Sequence, residues 1–319
     1  MDRWGEPDGR PEVLVLRALK LGDLLVSVPA LRGIRRARPD ARIVLAMPDW
    51  LEPVIELVDA VDVLLPTAGL QELLPVPPGR VETAVDLHGH GPESRRLCEA
   101  LQPQHLLGWR APGWKGPEWP ENVLERERWA GLVTAHGMPA DPDDLALRRP
   151  PGTSPWAGCA VVHVGAYYGS REWPVERFAA VAADLTARGL SVVLTGGAAD
   201  RHRAERTAEL AGLPSAAVLA GRLPLGDFAA VVADAALVVT ADTGAGHLAS
   251  AYARPSVVIF GPAPPEAWGP PPGPHVALTH AELRRGEPFV DEPDPALLAV
   301  TAEEVLAAVD TLPVTYPAP

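Results

Sequence analysis

The sequence predicts two successive α/β domains, each built on a doubly wound parallel sheet. Three observations carry this. The chain has 319 residues, more than one hydrophobic core usually organises. Short apolar runs rich in β-branched residues alternate with amphipathic stretches along its whole length, the pattern of strand-helix-strand units. The alternation is interrupted once, where Pro and Gly thicken between residues 112 and 155.

In the first half, residues 13–16 (VLVL) read as a strand and residues 23–36 as an amphipathic helix, followed by strands at 41–46, 61–65 and 81–87. One helical stretch, 121–136, interrupts the Pro- and Gly-rich region. Arg148-Arg149-Pro150-Pro151-Gly152 reads as a linker and places the domain boundary near residue 152. In the second half the expected strands are 160–164, 191–194, 216–219, a run from 237, 256–260 and 275–278. The expected helices are 175–188, 201–211, 225–233 and a short one starting near Gly246 that ends before Pro255. A loop PAPPEAWGPPPGP precedes the last strand, and an amphipathic helix at 302–309 closes the chain. The domains are therefore 1–152 and 153–300, with a final helix and tail at 301–319. Two such domains imply a cleft, and in open α/β sheets ligands sit beyond the carboxyl ends of strands.

Composition narrows the function. With 47% hydrophobic and 22% charged residues and no apolar run near the roughly 18 residues of a membrane span, a globular, water-soluble chain is expected. The stretch MDRWGEPDGRPEV has neither a basic nor an apolar export region, so the expected location is the cytoplasm. Cys98 and Cys159 are too few for a disulfide framework or a cysteine-based zinc site. A net charge of −13 argues against a general binder of nucleic-acid backbone, whose footprint is a basic stripe. A local pocket for one small anion stays open.

Several loops could carry chemistry. After the run LVVTA comes Asp242-Thr243-Gly244-Ala245-Gly246-His247, where the glycines would permit positive φ or close approach of a ligand. The helix that follows would direct N–H groups and a positive dipole end into the loop, a site for phosphate or diphosphate. Thr243 and His247 could add donors. Alternatively, Asp242 and Thr243 merely cap the helix. After the strand at 160–164, Arg171 precedes Pro174 and could fork onto phosphate oxygens or simply face solvent. Gly196-Gly197 and Asp200 follow the next strand, and Asp200 could meet a ribose or cap a helix. In the first half, Lys20 and Gly22-Asp23 follow the first strand; Asp23 is either a helix N-cap or a general base aimed into the cleft.

Other patterns are set aside. Asp-Thr-Gly also marks aspartic proteases, but those need a second copy and an all-β fold. Gly89-His90-Gly91-Pro92 misses the dinucleotide fingerprint, so NAD is not expected. His88 and His90 lack a third ligand, and Asp141-Pro142-Asp143-Asp144 reads as a solvated acidic turn. No metal and no cofactor are expected, and neither nucleic acid nor a transmembrane segment.

Taken in order, LGDLLVSVPALRGIRRARPDARI, VHVGAYYGSREWPVERFAAVAADLTARG, VVLTGG and VVTADTGAGHLASAYARPSVVIFGP resemble glycosyltransferase family 9, the ADP-heptose:lipopolysaccharide heptosyltransferase family of GT-B fold. The resemblance spans roughly residues 13–270. It implies two Rossmann-like domains facing each other across a cleft that closes over substrate, with the last helix crossing back to the first domain. It also implies inverting, metal-independent transfer of a sugar, heptose from ADP-heptose, to an acceptor hydroxyl.

By the resemblance, Asp23 is the general base, and the diphosphate site falls on Asp242, Thr243, Gly244 and His247. Arg171 stands where the family has a lysine. Gly196, Gly197, Asp200 and Trp173 are further donor-side candidates; Lys20, Gly22, His88 and His90 are acceptor-side ones. Two lysines against 26 arginines read as the coding bias of a GC-rich, actinobacterial host without lipopolysaccharide. A natural product or envelope glycan is then an expected acceptor. A GT-B-like nucleotide-sugar epimerase or hydrolase, and a non-catalytic nucleotide-sugar-binding protein, are the alternatives.

Overall fold

The computed structural model describes residues 2–316 of the chain, which divides into two compact units, Met1–Arg148 and Arg149–Pro319. The division falls just before the expected boundary near 152.

The first unit runs β1 (Asp2–Arg3), β2 (Glu12–Leu16), α1 (Leu21–Ala37), β3 (Arg42–Met47), α2 (Glu52–Val58), β4 (Val63–Pro66), β5 (Thr83–Asp86), α3 (Pro92–Ala100), β6 (His105–Leu107) and α4 (Glu125–Ala135). Its six strands are parallel, in the order β1-β4-β3-β2-β5-β6. Strands β2 and β3 are buried at every position, as expected where helices cover both faces of a sheet. Leu14, Leu16, Val44, Ala46, Val63 and Ala84 form the centre of one core layer. The expected acidic turn at 141–144 is instead pinned down: Asp144 pairs with Arg32 and Arg36 of α1, and Asp143 with Arg126 of α4.

The second unit runs β7 (Ala160–His163), α5 (Val175–Ala187), β8 (Val192–Thr195), α6 (Arg201–Ala211), α7 (Leu225–Ala233), β9 (Leu237–Ala241), α8 (Gly244–Ala251), β10 (Ser256–Ile259), α9 (Pro265–Trp268), β11 (His275–Leu278), α10 (Pro295–Ala299) and α11 (Ala302–Asp310). Its five strands are parallel, in the order β11-β10-β9-β7-β8.

Two expectations are corrected. The strand expected at 216–219 is a 3-10 turn, Ser215–Ala217, followed by one bridge from Val218 to Leu194. The amides of Leu219 and Ala220 both converge on the Leu194 carbonyl (2.8 and 3.1 Å), so no ladder propagates. The final helix, expected to cross back to the first domain, packs against α5 and β10, with Val305, Ala308 and Val309 in the core of the second unit. The last three residues of the expected tail lie outside the described residues.

Trp173 is also corrected. It was a donor-side candidate, but it is fully buried (0% exposed), edge-to-face with Phe178 at 4.8 Å, and its Nε1 donates to the Val300 carbonyl at 3.0 Å. It ties the segment before α5 to the turn before α11. Trp173→Ala is expected to lower the unfolding free energy by about 3–5 kcal/mol, and Trp173→Phe by clearly less. Denaturant titration checks this, and wild-type stability in Trp173→Ala would contradict the core assignment.

Candidate functional site

Strand order decides where each unit can hold a ligand. In the second sheet the chain winds one way from β7 to β8 and the other way from β9 through β10 to β11. The loops after β7 and β9 therefore diverge, and the crevice between them is the switch point where open α/β sheets bind ligands. In the first sheet the reversal lies between β2 and β5. The loops after those four strands carry Arg171, Asp242–His247, Lys20–Asp23 and His88–His90.

At the second switch point Arg171 ends a 3-10 turn, Gly169–Arg171. That turn is seated on the segment 288–294: Ser170 N–H donates to the Val290 carbonyl (2.9 Å), its hydroxyl donates to the Pro288 carbonyl (2.9 Å), and its carbonyl accepts from Asp294 N–H (3.1 Å). Only glycine fits at 169, since a Cβ there would lie 1.8 Å from the Asp291 carbonyl oxygen. Arg171 thereby reaches the loop after β9, where its Nη1 donates to the Asp242 carbonyl (3.3 Å) and lies 3.4 Å from Asp242 Oδ2. Arg171 Nε and Asp242 Oδ2 are both buried without a hydrogen bond. An unmet buried donor or acceptor costs about 1–3 kcal/mol, so Arg171 and Asp242 keep hydrogen-bonding capacity that their own ion pair does not use.

Helix α8 begins at Gly244, two residues earlier than expected. Thr243 is its N-cap, accepting from Ala245 N–H at 3.3 Å and sharing a 2.9 Å hydrogen bond with Thr240. Neither Gly244 nor Gly246 adopts positive φ. Gly246 instead permits close packing, because a Cβ there would lie 3.1 Å from Val258 of β10. His247 stands at the fourth position of the helix, its ring 6.1 Å from that of Trp268.

Asp200 occupies the N-cap position of α6, but its side chain makes no capping hydrogen bond to the helix. It accepts from Gly197 N–H at 2.7 Å and from Ala166 N–H at 3.4 Å, stapling the loop after β8 to the loop after β7. Gly165 and Gly196 pack so tightly on it that a Cβ at either would approach its side chain to 2.5 and 2.7 Å. Arg203 adds a second brace, donating to Glu172 (2.9 Å) and to the Trp173 carbonyl (2.7 Å). Sequence reading passed over Arg203, which no local pattern distinguishes from other helix-surface arginines. It also passed over His163, which stands level with Thr195 and Thr240 across three strands. His163 Nδ1 is hydrogen-bonded to Thr195 Oγ1 at 2.9 Å, and burial pushes its pKa down to about 4.

At the first switch point Asp23 is not the N-cap of α1. The helix starts at Leu21, so Lys20 is the N-cap, Gly22 lies in the first turn, and Asp23 reaches back to accept from Lys20 N–H at 3.2 Å. His88 is partly buried, with Nδ1 unpaired. Burial, and then the charge of Arg17, push it down to about 4 against the opposing pull of Asp23. His90 is exposed and stacks on Trp119 at 4.0 Å, beside a cluster with Trp109 and Trp129. The structure thus gathers Lys20, Gly22, Asp23 and His88 on the first unit, and Arg171, Asp242, Thr243, Gly244 and His247 on the second. Gly196, Gly197 and Asp200 stand beside the latter, while Trp173 is removed to the core.

Among the described residues no group of three or more His, Cys, Asp or Glu side chains could hold a metal ion, and no helix is long and apolar enough to cross a membrane.

Several known proteins resemble this chain. A family model described as glycosyltransferase family 9 (heptosyltransferase) matches residues 154–287, the part that carries the Arg171 and Asp242 loops. The chain is 37% identical over 155 residues to lipopolysaccharide heptosyltransferase 1 of Pseudomonas aeruginosa, a match covering 47% of this chain and 43% of that one. It is 24% identical over 360 residues to lipopolysaccharide heptosyltransferase 2 of Escherichia coli, covering 94% and 98%. The solved structure of E. coli ADP-heptose lps heptosyltransferase II superposes with a TM-score of 0.74 at 22% identity, over 94% of this chain and 98% of that one. Two doubly wound sheets on one chain, with that likeness along nearly its full length, define the GT-B fold. Residues 154–287 thus carry the likeness to glycosyltransferase family 9.

The low His163 value has a consequence for stability. In the unfolded chain this imidazole protonates near its ordinary 6.5, whereas in the native fold it stays neutral to about 4. Unfolding in that window takes up a proton, so stability is full above 6.5 and falls as pH falls, by about 2 kcal/mol between pH 7.5 and 5. Thermal denaturation at the two pH values checks this. His163→Gln should reduce the slope by its own share and leave the share of His88, which is pushed down as far and in the same direction; an unchanged slope would discard His163 as a source.

Proposed function

We propose that this chain is a family 9 glycosyltransferase that moves heptose from ADP-heptose to an acceptor hydroxyl, with inversion at the anomeric carbon and without a metal ion. The observation that carries this is at the second switch point, where Arg171, its Nε unmet, stands on the loop facing the one that opens into the N-terminus of α8. A diphosphate supplies acceptors for the arginine and for the first turn of the helix. The name of the superposed E. coli enzyme, with its ADP-heptose, supports the choice of nucleotide and sugar.

In this reading the bond from the anomeric carbon to the diphosphate oxygen breaks, and its electron pair leaves on ADP. Arg171, His247 and the helix end stabilise the charge that grows there. The acceptor oxygen forms the new bond on the opposite face of the sugar, and Asp23 takes the hydroxyl proton. A carboxylate suffices as base because the hydroxyl becomes acidic only as it bonds to carbon. Asp23 is suited to the task by its position: a carboxylate held by a backbone N–H at the opening of α1, partly exposed, at the switch point of its sheet. Asp200 acts through the loops it staples, and Asp242 by holding Arg171. The acceptor is a hydroxyl-bearing glycan or natural product, with His88 and His90 as its nearest candidate contacts. The enzyme works in the cytoplasm, where the nucleotide sugar is made.

The test is calorimetric titration with ADP against UDP, GDP and NAD in the presence of a chelator. Preference for ADP is expected; preference for UDP or GDP would overturn the heptose assignment, and NAD binding alone would overturn the transferase reading of the site. Arg171→Ala and His247→Ala should each weaken ADP binding by about tenfold or more, the scale of one lost charged hydrogen bond. Asp23→Asn should leave ADP affinity intact while lowering ADP release from ADP-heptose by about 100-fold or more. Wild-type turnover in Asp23→Asn would remove it as the base.

A further inference from the structure

Arg17 closes strand β2 and is 1% exposed, among the largest fully buried side chains of the protein. A guanidinium in such a place is held only where its charge and its donors are met. Its Nε donates to the Asp23 carbonyl at 2.8 Å, its Nη1 to the Leu87 carbonyl, and its Nη2 lies 3.4 Å from Asp23 Oδ1. Its Cζ sits 4.5 Å from the ring centroid of Trp129, and Trp129 Nε1 donates to Glu125 Oε2 at 2.8 Å. Three segments thus meet on one side chain: the turn after β2, the turn after β5 and helix α4.

From this we infer that Arg17 is the positioning residue for Asp23, holding the loop backbone and the carboxylate together so that the carboxylate is presented to the acceptor hydroxyl. The inference rests on Asp23 being the base. Oδ2 is fixed by Lys20 N–H and Oδ1 is steadied by Arg17, so the carboxylate has lost its rotational freedom before any acceptor arrives. Arg17 is too deeply buried to touch substrate and acts only through Asp23. The Trp129 ring keeps the guanidinium from leaving, and the Leu87 carbonyl joins Asp23 to the His88 loop, so the two acceptor-side loops move as one.

The experiment measures ADP release from ADP-heptose, with water as nucleophile, for Arg17→Met, Arg17→Lys, Asp23→Asn and the double variant Arg17→Met/Asp23→Asn. Crystal structures of the two Arg17 variants accompany the assay. Arg17→Met is expected to lower kcat at least 20-fold with ADP affinity unchanged, and Arg17→Lys to recover part of that loss. In the Asp23→Asn background Arg17→Met should cost less than threefold more, because the group it positions is already disabled. In the crystal structure of Arg17→Met the carboxylate of Asp23 should leave Lys20 N–H.

An Asp23 carboxylate unmoved in Arg17→Met, wild-type kcat in that variant, or full additivity in the double variant would each overturn the inference. Arg17→Lys covers the case in which methionine unfolds the unit: a lysine variant that folds with the Asp23 carboxylate displaced from Lys20 N–H, yet keeps wild-type kcat, also overturns it. The base assignment fails separately, by wild-type turnover in Asp23→Asn alone.

Discussion

In a parallel sheet every strand ends on the same edge, and every loop that follows a strand leaves from that edge. The winding must reverse once for a sheet to grow in both directions, and at the reversal two neighbouring loops part and leave backbone and side chains facing an open crevice. Each unit of this chain has one such place, between β2 and β5 and between β7 and β9. Every polar residue with an unmet or catalytically useful atom described above stands on one of those four loops or on the strand end that feeds it. The strands themselves are buried almost throughout and carry the loops on a rigid base.

Rigidity of the loops has a different source, and it is electrostatic. Asp200 ties two glycine-rich turns together with one carboxylate. Arg203 fastens the segment before α5 from the side. Arg17 does the same in the first unit. In each case a charged group bonds to backbone atoms of loops that have few apolar side chains of their own to pack. Such bonds are stronger than neutral ones and fix a loop without filling the space a ligand needs.

Glycine serves closeness more than it serves unusual backbone geometry at the second site. Gly169 lets one loop lie on another, and Gly246 lets α8 lie on β10. The loop containing Asp-Thr-Gly is consequently tighter than a flexible cradle: its helix begins at once after Thr243, and the first-turn amides are partly met by that residue. What stays open is the arginine edge and the carboxylate beside it.

The alternation of apolar runs and amphipathic stretches was enough to locate the inner strands β2 to β5 of the first sheet, the strands of the second, most helices and the order of the motifs, because strand and helix periodicities are local properties of the chain; the short edge strands β1 and β6 carry no such pattern. The glycine-rich loops were legible for the same reason. Tertiary structure alone decided three things. It put Trp173 in the core, through a carbonyl 127 positions away. It turned 216–219 from a strand into a turn, since one acceptor carbonyl cannot sustain a ladder. And it gave Arg17 its place against Asp23 and Leu87, because which charge a buried arginine meets depends on which strands lie side by side, and strand neighbours are not written in the periodicity of either one.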